Sequence, residues 1–386
     1  MLRVKALQNL YAFSHCRKSD YFLTLDKIEE AFKPKWEEMD QEHMAILNDQ
    51  KAKTLAHFKK NYSTENQQSD LVEDEPKVKD SVTDAMVFYR NQVRKDFQFM
   101  QKNMLEGTEN IFNLYLLAMD FLLGFAEAEY LEKQEKAKKS GGTPDQLNLN
   151  LYTNKFVSLL KNNHELKQNK DQHKINWRDH NLEIRRWFRD LVRKSEVYLD
   201  YTANTSADFI QDRDILIAIT KKIIFKENTV NEFWEEKDLN WSENRSIVKS
   251  MVLKTLKSVD NEEGNLEIAE LSRNWEDDKN FFRRLYEYTI SNEREYESIV
   301  AEKIKNWDID RVAVLDKLIL MMAINEMIHF PSIPVKVTIN EYIEISKLYS
   351  TPKSKQFVNG ILDVLATQLT NDGTIRKSGR GLIDNK

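Results

Sequence analysis

The sequence predicts an all-α protein, and three observations carry that prediction. Glycine and proline are scarce, nine and six in 386 residues, against ordinary usage of about 7% and 5%; hairpins and tight loops depend on those two residues. Apolar side chains recur three and four positions apart through most of the chain, the spacing that lines one face of a helix. A charged fraction of 31% beside a hydrophobic fraction of 41% suits helices whose outer faces are solvated around a buried stripe.

The length is enough for two or three domains. The single cysteine, Cys16, excludes an intrachain disulfide and suits a reducing compartment. Arg3 and Lys5 interrupt what would be the apolar segment of a secretory signal. The most apolar run, 111–126, is too short to span a bilayer and contains Asp120. These features predict a cytoplasmic protein without a membrane segment. The net charge of −5 argues against indiscriminate nucleic-acid binding, so an RNA contact would need a local basic patch.

In chain order, the opening helix buries Leu7, Leu10 and Tyr11, the last two standing three and four positions beyond the first. Arg3 and Lys5 sit at its start, where cations oppose the helix dipole. Such side chains are either ordinary solvated charges or a grip on a phosphate backbone. Residues 24–60 read as helical, with the stripe Leu25, Ile28 and Phe32 ending before Pro34. The polar, acidic segment near 61–80 reads as a flexible loop. Helical periodicity resumes at Val82 and leads into the apolar 111–126 run, the expected central helix of this half. A second loop is expected near 131–148. Gly141 and Gly142 there lack the flanking strand and the Gly-Lys-Ser/Thr ending of a phosphate loop.

From Asn181 to Leu199 the stripe Ile184, Trp187, Phe188, Leu191, Val192 and Leu199 is flanked by Arg185, Arg186, Arg189 and Arg193. A basic amphipathic helix can bind RNA or an acidic partner. The intermixed Glu183, Asp190 and Glu196 favour a solvated helix with local ion pairs. Asp212–Phe225 is a further core helix, and Trp234 and Trp241 lie in an acidic stretch that suggests no function. Segments 247–256 and 281–288 continue the helical pattern. Asp308 is a candidate cap for the next helix, with Trp307 and Val312 stapling it and Asp310 in its first turn. Its apolar positions Val312, Leu315, Leu318, Ile319, Met322 and Ala323 cover a broad, central face.

The stretch 335–369 organises the rest. Thr338 with Glu341 fits a capping box and Val337 with Tyr342 a hydrophobic staple, so a helix is expected from about Thr338. Thr351 followed by Pro352 marks a second helix start. Phe357, Val358, Ile361, Leu362, Leu365 and Leu369 then line one buried face. Lys353 and Lys355 fall at the corner, where free N–H groups also favour anions. Phe357 is near enough for its ring edge to reach a base, and stacking beside cations is how single-stranded RNA is usually held.

Catalysis has no recognisable constellation here. His164 and Glu165 begin like a zinc-helix motif, but Gln168 stands where the second histidine belongs. One cysteine cannot build a multi-cysteine zinc site, and adjacent acidic pairs such as Glu235 and Glu236 point about 100° apart on a helix. No enzyme activity, metal or cofactor is expected.

The words of this C-terminal region carry a resemblance. INEYIEISKLY, a short polar corner with lysines and then FVNGILD resemble the C-terminal signature of the NusB family of transcription antitermination factors. NWDIDRVAVLDKLILMMAINEM is similar to the family's tryptophan-led helix, and LRVKALQNLYAF to its opening helix. The resemblance implies a non-enzymatic protein that binds boxA-type single-stranded RNA in nascent ribosomal RNA transcripts. It further implies partnership with the small-subunit ribosomal protein NusE, within the transcription elongation complex. Carried over residue by residue, RNA binding falls on Arg3, Lys5, Gln8, Lys353, Lys355 and Phe357, in an N-terminus with fewer arginines than the family's. Partner binding falls on Tyr11, Asp310 and Asp316, an acidic face suited to a basic protein.

The expected organisation is an N-terminal helix (1–30) packing on a NusB-like module (246–371), a helical insertion (31–245) and a disordered tail (372–386). The alternative is a helical protein–protein adaptor without RNA binding. A third reading, an RNA-modifying enzyme with a NusB-like extension, lacks a glycine-rich cofactor loop or catalytic cysteine motif after the module.

Overall fold

A computed structural model describes residues 1–34, 40–63, 75–139, 149–204, 207–303 and 312–383; among them there are helices and turns and no strand. The expected all-α class is what the structure shows. The chain divides into two compact units, one formed by Met1–Glu106 with Glu276–Lys386 and the other by Gly107–Trp275. The discontinuous unit thus takes in residues 31–106, which sequence alone assigns to the insertion, and the contiguous unit runs past 245 to Trp275.

The discontinuous unit opens with one 30-residue helix, α1 (Leu2–Ala31), that joins two segments separate in the sequence pattern. Its stripe Ala6, Leu7, Leu10 and Phe13 is buried, and its far end places Ile28 in a small second core. α2 (Gln41–Asn61) starts at Asp40, whose side chain accepts from the Glu42 and His43 backbone N–H groups. It contributes Leu47 and Phe58 to that same small core. α3 (Pro76–Lys139) begins on proline, whose missing N–H is harmless at the first helical position. It runs through Lys139, so residues 131–139 are helical where a loop was expected; Gly141 and Gly142 lie outside the described residues.

The contiguous unit is built around the apolar part of α3. This is the one described helix long and apolar enough to cross a membrane, and 78% of that window is buried inside the protein. Around it lie α4 (Lys155–Asn162), α5 (His164–Gln172), α6 (Asn181–Trp187), α7 (Glu196–Ala203), α8 (Phe209–Ile219), α9 (Asn228–Lys237) and α10 (Trp241–Leu256). Trp234 and Trp241, unassigned from sequence, are core residues. Their rings stack with centroids 5.0 Å apart, and their indole N–H groups donate to the Ile224 carbonyl and the Asn231 side chain. The arginine-flanked stripe is split into α6, a π turn over Phe188–Val192, and α7. Arg185 pairs with Glu135, Arg193 with Glu132 and Arg189 with Asp190, and Leu199 is exposed rather than on the stripe.

The discontinuous unit resumes with α11 (Trp275–Ser291), α12 (Glu293–Lys303), α13 (Val314–His329), α14 (Val335–Tyr349) and α15 (Ser354–Asn371). α13 is central: Leu318 to Met327 are all buried, and it packs against α1, α12, α14 and α15. Asn325 ties it to α11, donating to the Leu285 carbonyl and lying 3.0 Å from Thr289 Oγ1. The expected Trp307, Asp308 and Asp310 helix start falls on residues outside the described set.

The tail after Asn371, expected to be disordered, is docked through Ile383. Ile375 is buried, the Ser378 N–H donates to the Pro331 carbonyl, and Gly381 passes so close that a Cβ there would sit 2.0 Å from that oxygen. One apolar anchor, one backbone bond to the Pro331 carbonyl and one lysine bond to the Phe330 carbonyl outweigh a polar composition. Lys377 donates to the Phe330 carbonyl at 3.0 Å, and burial holds its ammonium pKa down at about 8. The unfolded chain therefore holds that proton more tightly than the folded one between about pH 8 and the usual lysine value. Stability is expected to rise with pH from about 8 toward 10, and Lys377→Gln is expected to flatten the rise, as read by denaturant titration at each pH.

Candidate nucleic-acid interface

The corner between α14 and α15 is held from beneath. Asp316, near the start of α13, is buried, and the hydroxyls of Ser350 and Ser354 donate to its two carboxylate oxygens at 2.5 and 2.7 Å. Thr351 Oγ1 lies 2.8 Å from Ser354 Oγ, and the Ser354 N–H donates to the Thr351 carbonyl. α15 consequently begins at Ser354, three residues beyond the expected Thr351 start. On top of this braced turn Lys353 and Lys355 are exposed, and Phe357 is half-buried with its ring against the core. The arrangement offers two solvated ammonium groups at the start of a helix that carries the half-buried Phe357, which suits a polyanion.

The N-terminal residues are committed differently. Glu326 of α13 is wholly buried and accepts from the Arg3 Nε and Nη2 groups at 2.7 and 2.8 Å. The Thr338 hydroxyl donates to it at 2.9 Å and the Tyr342 hydroxyl at 3.1 Å. Burial alone pulls the Arg3 pKa down, but the bonds and charge of Glu326 exceed it and the net shift is upward. Burial, reinforced by Glu326, pushes the Tyr342 hydroxyl well above its usual value. Arg3, with 19% of its side chain exposed and a further contact to Glu341 at 3.3 Å, fastens α1 to α13 and α14. Lys5 is 4% exposed and Gln8 half-buried. α14 starts at Val335, directly after Pro334, so Thr338 lies within the helix and its hydroxyl donates to Glu326 rather than capping a helix end.

Of the expected partner residues, Tyr11 is 38% exposed and stands edge-on to His15, with ring centroids 4.5 Å apart. Asp316 supports the corner from inside and presents no exposed charge. Asp310 lies outside the described residues. Sequence reading missed Glu326, Ser350 and Ser354; the two serines, four apart on either side of a proline, were the available signal. Among the described residues no three His, Cys, Asp or Glu side chains gather as a metal site.

Comparison with known proteins finds relatives for this C-terminal region. The model of the NusB family matches residues 246–367. The transcription antitermination protein NusB of Chloroherpeton thalassium is 42% identical over 106 residues, 28% of this chain and 50% of the relative. That of Salinibacter ruber is 40% identical over 105 residues, 27% of this chain and 66% of the relative. That of a Geobacter species is 41% identical over 91 residues, 24% and 63% of the two chains. The chain therefore spans between half and about two-thirds of the length of these curated relatives, and most of its own length lies outside the match. No solved structure matches it.

Proposed function

From the NusB family domain carried by residues 246–367, we propose that the chain is a non-enzymatic transcription antitermination factor. It binds boxA-type RNA of nascent ribosomal RNA transcripts together with NusE, in the cytoplasm, as part of the elongation complex. The observation that carries this reading is the braced corner within the matched region, where Lys353 and Lys355 stand solvated at the start of the helix that carries the half-buried Phe357. Affinity comes from phosphates held by the two ammonium groups and specificity from unstacked bases. Tyr11 is the accessible member of the partner set. Arg3 serves the fold, and the RNA surface is correspondingly centred on α15.

The test is binding of a boxA RNA and a scrambled RNA, with and without NusE, across a salt series. For Lys353→Ala/Lys355→Ala the slope of log affinity against log salt is expected to flatten by about 0.7 for each phosphate that is no longer neutralised. Phe357→Leu is expected to weaken binding by about 1–3 kcal/mol if its ring carries a base. The alternative, a protein–protein adaptor, is favoured by one observation: the two N-terminal cations are ion-paired or buried. NusE binding with no RNA selectivity at any salt concentration would establish the adaptor.

A further inference from the structure

Beyond the matched domain, the contiguous unit holds a cleft of about 710 Å³ between the apolar part of α3, α4, α5 and the segment after α5. Its size is that of a small-molecule site. Lys161, Lys167, Lys170, Lys174 and Arg178 line it, against Glu127 and Asp171, in a chain whose net charge is −5. Five cations thus face two carboxylates. Lys170 is spent on Asp120, which is wholly buried and also accepts from the Trp177 N–H at 2.5 Å, leaving four cations against the two lining carboxylates. Lys161 lies over the Tyr152 ring at 5.4 Å, the ring being stacked on Tyr130 with centroids 4.6 Å apart, and Arg178 lies over the half-buried Trp177 ring at 5.8 Å, so Trp177 is the aromatic side chain left to meet a ligand in the cleft. Lys161, Lys167 and Lys174 are exposed.

A second observation points the same way. Lys174 has φ of +55°, the left-handed conformation, among the described residues the only non-glycine to adopt it. It terminates α5, where the Ile175 N–H reaches back to the Lys170 carbonyl at 2.8 Å, a position that glycine fills at least strain. A lysine held there against its backbone preference puts an ammonium group at the cleft when glycine would fold better, and strain of this kind gathers at binding sites.

We infer that this cleft binds a nucleoside phosphate, its phosphate on Lys161, Lys167 and Lys174 and its base against Trp177. The ligand is either a free nucleotide or one unit of an RNA strand, and the site is separate from the α14–α15 corner. Such binding is independent of any antitermination role.

The test is isothermal titration of the full chain with adenosine monophosphate, inorganic phosphate and an oligoadenylate of about ten residues. Native protein is expected to bind the mononucleotide at least tenfold more tightly than phosphate. Lys167→Glu/Lys174→Glu is expected to weaken the mononucleotide tenfold or more, while Lys221→Glu/Lys222→Glu, exposed and outside the cleft lining, leaves it unchanged. Lys174→Gly is expected to raise stability and weaken the nucleotide together, which a merely structural lysine would not do. Tighter binding of the oligoadenylate, abolished in the same cleft variant, would identify an RNA strand as the source; equal affinity would identify the free nucleotide. No mononucleotide or oligoadenylate binding by native protein, binding no tighter than phosphate, or binding indifferent to the cleft variant would overturn the inference.

Discussion

Replacing Glu326 with alanine is expected to lower the unfolding free energy of the discontinuous unit by about 3–5 kcal/mol, the range for removing one partner of a buried ion pair. The carboxylate receives four hydrogen bonds, two from Arg3 and one each from Thr338 and Tyr342. Without it a largely buried guanidinium and two buried hydroxyls lose their acceptor at once, and each stranded hydroxyl adds a desolvation penalty. Arg3→Ala/Glu326→Ala removes the uncompensated cation and is expected to recover part of the loss. Glu326→Gln keeps an acceptor oxygen and should fall between. Denaturant unfolding of the four proteins measures this; a loss below about 1 kcal/mol for Glu326→Ala, the net worth of one ordinary hydrogen bond, would show that Arg3 is not a fastener and return it to the RNA surface.

Glu129→Ala is expected to act as strongly in the contiguous unit, again by about 3–5 kcal/mol. This wholly buried carboxylate accepts from the Leu151 and Tyr152 backbone N–H groups at 2.7 and 2.9 Å, from the Tyr198 hydroxyl at 2.5 Å, and from Lys133 at 2.8 Å. Backbone N–H groups cannot rotate away to find water, so the two amides are stranded where they are. Burial raises the Tyr198 pKa and Glu129 raises it further. That contribution is complete below the normal tyrosine pKa and fades as pH rises above it, because the folded state keeps the proton longer. In the variant, ultraviolet absorbance of tyrosinate should report Tyr198 ionising at lower pH. An unchanged melting profile would sink the prediction.

The helical class and the importance of 335–369 were legible because both rest on periodicity, which is a property of the chain alone. Individual polar residues were not. Arg3 read as a solvated or RNA-gripping charge because its partner lies 323 positions away. Asp316 read as surface acid, although the two serines that bury it come from the next corner. Thr338 carried every local sign of a cap, and a carboxylate twelve residues upstream in the neighbouring helix claimed its hydroxyl. The extent of α3 through 139 was legible only in part: residues 131–139 are all strong helix formers, and the lysines of the last turn suit a helix C-terminus, but they carry no apolar stripe to mark the helix. The cleft lysines form no pattern in the sequence, since their convergence depends on how α4 and α5 fold back on α3.

The 323-residue separation of Arg3 and Glu326 also dictates an order of events on the ribosome. Closing so long a loop is thermodynamically mild, because each doubling of length adds only about 0.6 kcal/mol. Its consequence is temporal. At about 5–20 residues per second, α1 waits roughly 17–70 seconds for α13 to α15, its hydrophobic stripe without its final partners. The segment 107–275, contiguous in sequence, has its own core complete before then. The 107–275 core is therefore expected to be complete while the Ala6, Leu7 and Leu10 stripe of α1 still awaits α13, so that this stripe is the surface a nascent-chain chaperone would hold.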